Sequence, residues 1–280
     1  MSGKMSQKLK IRLFLGFAII CWGVVACWAM YSQQQGSAVD PIYPAIHGDV
    51  YSNSGNFRPG TQGASLYKGS VESMIVANPL DDKEATGEAI ALFAAHHRND
   101  PVILVCFEQG IGSIPLYGDE NWQTSYGVTN VNREFLNNFE ILGAVSNNDA
   151  LGDFQDLGAM MTYLGYHMPG LTVAPLVLDA SAEPGAVKAL MKELRQMAEN
   201  SSVVVMLPQG ASNSPLPSKD ESDLEQYFSD ENHDFSVALG QKAALALMAF
   251  HQLSEQTIDV YAFAEDKPET LSDLMIVCGE

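Results

Sequence analysis

From residue 69 onward, short unbroken apolar runs alternate with longer stretches in which apolar residues return every three to four positions. The first kind predicts strands, at 74–77, 102–107, 171–178 and 203–207, with closing strands at 258–263 and 274–278. VILVCF at 102–107 has no polar side chain, the pattern of a strand covered on both faces. The second kind predicts helices at 83–97, 134–139, 149–166 and 234–253, and one at 183–199 with Pro184 in its first turn. TSYGVTNVN at 124–132 alternates as an edge or hairpin strand does. Strands interleaved with helices predict an α/β fold, a three-layer sandwich whose mostly parallel mixed sheet carries helices on both faces. Ligand chemistry is then expected beyond the C-terminal ends of the strands.

Before residue 69 the pattern changes twice. Residues 13–31, LFLGFAIICWGVVACWAMY, carry no charge, and as a helix would extend about 28 Å of the roughly 30 Å of bilayer hydrocarbon. This predicts a transmembrane anchor or signal helix. Lys4, Lys8, Lys10 and Arg12 precede it in a basic segment at 1–12, which predicts a cytoplasmic N-terminus and an exported remainder. A cleavable signal uses the same features, and Val24-Val25-Ala26-Cys27 resembles a lipobox with Cys27 as its acylated residue. Every version makes the membrane a partner through 13–31 and places the folded domain outside the cytoplasm, at a bacterial inner membrane, periplasm or cell surface. Residues 32–68, rich in Gly, Ser and Gln, read as a linker or strap, leaving 69–280 as the α/β domain.

Charge narrows the partners. The chain holds 15 Lys and Arg against 34 Asp and Glu, a net charge of -19, and its first acid is Asp40. A surface so acidic repels phosphate backbones, so nucleic acid is not an expected partner. Of the four cysteines, Cys21 and Cys27 belong to the apolar segment, and Cys106 and Cys278 fall in predicted strands, best read as buried thiols.

The predicted strand ends nominate a set of loop residues. Asn78, Gln109, Gln209 and Ser212 among them are candidates for ligand binding and Glu108 and Asp179 for acid–base catalysis, while Gln155 for ligand binding and Asp156 for catalysis lie in the predicted 149–166 helix and join them through a family resemblance. Gly110 and Gly112 permit close backbone approach, but neither G-x-G-x-x-G nor a P-loop lysine is present. Asp81 and Asp82 stand where a helix cap is expected. His96 and His97, adjacent on a helix, point about 100° apart and do not suit one metal. The acidic stretch at 218–235 reads as a solvated face rather than a calcium loop, since EF-hand spacing is missing. No metal site and no cofactor is expected.

The order of segments, with NDPVILV, WQTSYGVTNVNREFLNNF, TVAPLVLD and SSVVVMLPQG in succession, resembles the Memo-like family, protein B of the AmmeMemoRadiSam system, related to the class III extradiol dioxygenases. Thr124, Gly127, Val128, Val131 and Asn132 echo its T-P-L-G-x-V-x-V-[DN] motif. The resemblance runs from about residue 70 to residue 263 and implies that fold. It departs at the metal ligands: Ala77-Asn78-Pro79 stands for P-H-A-G, and Cys106-Phe107-Glu108-Gln109 for G-P-S-H. Phe154-Gln155-Asp156-Leu157-Gly158 stands for the E-H-S-L-E helix, and Leu207-Pro208-Gln209-Gly210 for S-S-D-L-S-H. The resemblance therefore implies a scaffold without its imidazole ligands. The expected function is a membrane-tethered, non-catalytic binding or scaffolding module for a small polar ligand or an envelope protein. The alternative is a carboxylate- or metal-dependent enzyme, hydrolase or dioxygenase-like, acting in the same crevice.

Overall fold

The apolar run at 102–107 forms the centre of the molecule. Strand β3 (Val102–Glu108) is buried at its first six positions and lies parallel to β8 (Thr172–Asp179) on one side and β9 (Ser202–Met206) on the other. Beyond β9 the sheet continues through the parallel β2 (Val71–Val76), then β11 (Leu274–Gly279) and β10 (Thr257–Ala262), both antiparallel to their inner neighbours. Beyond β8 it continues through the parallel β6 (Gly127–Val131), the antiparallel β5 (Asn121–Thr124) and the two-residue β1 (Ile42–Tyr43). A short branch, β4 (Leu116–Tyr117) with β7 (Val145–Ser146), pairs on the free part of β8. The computed structural model in which these elements are seen describes residues 42–43, 69–97, 100–124, 126–198, 201–211, 257–262 and 274–279. The expected anchor at 13–31, the strap, Ser212, the acidic stretch at 218–235 and the helix at 234–253 lie outside the described residues.

The α/β reading with a mostly parallel mixed sheet holds. Five helices are described: α1 (Lys83–His96), α2 (Arg133–Ile141), α3 (Asn148–Asp153), α4 (Gln155–His167) and α5 (Pro184–Met197). α1 packs with α4, and α2 with α5, while β3, β8 and β9 are almost wholly buried, an arrangement consistent with a sandwich. Strand order places the loops. β9 inserts between β2 and β3, so the loops leaving β2, β9 and β3 open side by side at the point where the winding reverses.

Pro175 stands inside a central strand, a position normally closed to proline. Its missing N–H falls between the last β8 residue paired with β6, Val173, and the first paired with β4, Leu176, so no ladder bond is lost. Two details differ from the sequence reading. β5 and the β4–β7 branch were not anticipated, because two- to four-residue strands carry too little periodicity to register. The helix expected at 149–166 is two helices, broken at Phe154, whose backbone is extended (φ -79°, ψ 101°). Asn147 caps the first piece by accepting from Ala150 N at 3.1 Å. The break starts α4 afresh at Gln155, which brings Asp156 to a helix N-terminus.

Close packing of α4 on the sheet depends on Gly165. A Cβ there would collide with Thr129 Oγ1, which itself donates to Met161 O at 3.1 Å. Gly165→Ala is therefore expected to lower stability by about 1–3 kcal/mol despite its better helix propensity. Thermal denaturation checks this, and a Thr129→Ala background should recover part of the loss. Equal melting temperatures for wild type and Gly165→Ala would refute the contact.

Candidate functional site

Three residues nominated from three different segments meet at the C-terminal ends of β2 and β3. Asn78, directly after β2, is fully buried and donates through Nδ2 to Asp156 Oδ2 at 3.0 Å and to Leu207 O at 3.2 Å. Its Oδ1 accepts from Leu80 N at 2.9 Å. One amide thus ties the end of β2 to the end of β9 and to the first turn of α4. Asp156, 4% exposed, also accepts from Leu157 N through Oδ1 at 2.7 Å. Both bonds use Asp156 as an acceptor, the role of a carboxylate.

The third member is Glu108, the last residue of β3, half-buried and near enough to Asp156 for that group to raise its carboxyl. Two carboxyl groups in contact must hold a proton between them, because like charges so close cannot both persist. With Asp156 committed to accepting from N–H groups, the proton sits on Glu108. Burial, the Asp156 hydrogen bond and the Asp156 charge together push the Glu108 carboxyl up from 4.5 to about 8. Cys106, two residues earlier on β3, is fully buried, and its thiol is pushed well up by burial, then by Asp156 and Glu108. It is a neutral thiol under the pair, not a thiolate nucleophile.

The other nominated residues have different placements. Asp179 accepts from Ser181 N at 2.7 Å, Ser181 Oγ at 2.5 Å and Gly112 N at 2.9 Å. The Ser181 hydroxyl bond leads the causes that lower its carboxyl below 3.8. Asp179 is thus a saturated anchor for the loop holding Gly110 and Gly112, whose φ values of 79° and 91° suit glycine. It borders a separate cavity of about 200 Å3 lined by Pro115, Leu142, Val187 and Leu190. Gln109, Gln155 and Gln209 are exposed, each beside a member of the crevice loops. Asp82 caps α1 by accepting from Ala85 N at 3.0 Å, and Asp81 accepts from Gly210 N at 2.7 Å, linking the β2 and β9 loops again. Asn78 was nominated as a ligand-binding residue; its polar atoms are instead spent inside the protein, as a strut for Asp156. The break at Phe154 that aims Asp156 is hidden from the sequence, because Phe154 offers the second helix no side-chain cap.

The histidines lie elsewhere. His96 Nδ1 meets Gly69 O at 3.0 Å, and His97 Nε2 meets Asp100 O at 2.8 Å while its Nδ1 faces Ser202 Oγ at 3.3 Å. His167 is more enclosed than a surface cap, and burial pushes it down from 6.5 to about 4. A lowered folded value contributes stability above the unfolded value that is lost as pH falls through the folded one. His167→Gln should therefore flatten the part of the melting-temperature profile between pH 6.5 and 4; an unchanged acid limb would contradict it.

Among the described residues no group of three or more His, Cys, Asp or Glu is placed to hold a metal, and no helix is long and apolar enough to cross a membrane. No protein-family model matches the sequence, and no curated protein does. Among solved structures, the chain is similar to one described as uncharacterized protein JW3007 from Escherichia coli K12. That match has 12% identity and a TM-score of 0.49, and covers 75% of this chain and 100% of that one.

Proposed function

We propose that the crevice is a hydrolytic acid–base site in which the Glu108–Asp156 carboxyl pair activates water against a neutral acyl substrate such as an amide. The observation that carries this reading is the placement of Glu108 beside Asp156 at the strand ends, with Asp156 held there by Asn78 and by the restart of α4. A pair sharing one proton offers an acid and a base at once. One carboxyl accepts a proton from the attacking water while the other gives its proton to the carbonyl oxygen, so the pair ends the step with one proton as it began. In the collapse of the tetrahedral species one carboxyl gives its proton to the leaving nitrogen while the other takes the proton of a diol hydroxyl, as the C–N bond breaks and the C=O bond re-forms, so the pair again ends with one proton. The acidic chain disfavours anionic substrates.

Chromogenic amide and ester substrates, uncharged and cationic, test the reading with the full chain. Turnover is expected to fall at least about 100-fold in Glu108→Gln and to decline above pH 8 in wild type. Turnover that survives the substitution would sink the proposal. The binding-module reading draws on a different observation, the exposed Gln109, Gln155 and Gln209 around the crevice. Ligand capture undiminished in Glu108→Gln, with no turnover, would favour it.

Kinship with Memo-like proteins belongs to the same proposal. Its support is that Asn78, Glu108 and Asp156, drawn from three segments aligned with the family's ligand motifs, meet at one place. An iron or zinc ion does not fit the donors present. Asn78 Oδ1 is turned to Leu80 N, and no imidazole among the described residues of the crevice replaces the missing ones. The three-layer arrangement and the membrane tether through 13–31, with the domain outside the cytoplasm, complete the picture. The tether is supported by its uncharged run and its four preceding cations.

A further inference from the structure

At the opposite end of the sheet, where β3 and β8 begin, is a cavity of about 360 Å3. Its walls include His97, Asp100, His167, Met168, Leu171 and Thr172. The volume lies within the about 300–1,000 Å3 of small-molecule sites. We propose that this cavity, with the aromatic surface beside it, is a binding site for a neutral saccharide.

Three observations converge. First, the wall is preformed. His97 is stacked on Phe93 with ring centroids 4.5 Å apart, and its two nitrogens meet Asp100 O and Ser202 Oγ, so the ring cannot swing away. A fixed wall lowers the ordering cost of binding. Second, an aromatic surface continues from the cavity. The His167 ring meets Tyr166 edge-on at 4.8 Å, and Tyr166 meets Tyr126 edge-on at 4.7 Å. Tyr126 and Tyr166 are 42% and 40% exposed, more than aromatic rings serving only as core. Exposed tyrosines offer a flat apolar face with a polar tip, the shape that receives the C–H face of a sugar ring while its hydroxyls stay hydrogen-bonded. Third, the polar residues lining the cavity include Asp100, Thr172 and His167, whose imidazole burial keeps uncharged at neutral pH. That set suits hydroxyl groups.

The cavity lies away from Glu108, so the two sites can be tested apart. The full chain would be titrated with glucose, galactose, N-acetylglucosamine and their β-1,4 dimers, followed by ligand-detected NMR and calorimetry, with choline as the competing probe. At least one saccharide should bind, Tyr166→Ala should weaken it at least 10-fold, and Asp100→Asn should weaken it independently. Glu108→Gln should leave that affinity unchanged, which keeps the result separate from the fate of the hydrolytic proposal. Absence of binding by every sugar, affinity indifferent to Tyr166→Ala and Asp100→Asn, or tighter binding of choline than of any sugar would each overturn the inference.

Discussion

Glu108→Gln is expected to make the protein more stable than wild type at pH 8–9 while changing it little near pH 5. The direction follows from linkage. A carboxyl whose folded value is raised from 4.5 to about 8 binds its proton more tightly in the native state, so native stability falls as pH rises across that window. Its contribution is complete below 4.5 and gone above 8. Glutamine keeps a donor toward Asp156 at every pH and so escapes the loss. Because Glu108 is only half-buried, solvent screening reduces the effect to about 2 kcal/mol, a difference of roughly 5 °C in Tm for a domain of this size. Melting profiles from pH 5 to 9 check this. Parallel profiles for wild type and Glu108→Gln would show that Glu108 titrates as an ordinary surface carboxylate.

Asn78→Ala is expected to be the most damaging single change, costing about 3–5 kcal/mol and measurable by chemical denaturation. Three partners lose their bond at once: Asp156 Oδ2, Leu207 O and Leu80 N, all around a fully buried side chain. A cost below about 1 kcal/mol would mean that water replaces the amide freely and that Asn78 is no strut.

Much of the fold was legible because its central strands are long. VILVCF and TVAPLVLD advertise burial on both faces, and the alternation of strands with amphipathic helices fixes the class. Asn78 and Glu108 were legible through a rule of topology, since both follow predicted strands, whereas Asp156 lies inside a predicted helix and is reached only through the family resemblance. What the sequence did not disclose was how each acts. Asn78 and Asp179 are polar residues at strand ends, chemically suited to ligands, yet both are consumed by backbone and side-chain partners of the protein itself. Only three-dimensional neighbours decide that. Likewise, nothing in residues 149–166 breaks helical periodicity, so the extended Phe154 that redirects Asp156 came from tertiary packing.

Carbon-13 NMR of the glutamate side chains, compared between wild type and Glu108→Gln, tests the shared proton most directly. One carboxyl should remain protonated at pH 7 and titrate with a midpoint about 8, its resonance disappearing in the variant. A spectrum in which every glutamate is ionised by pH 6 would contradict the account.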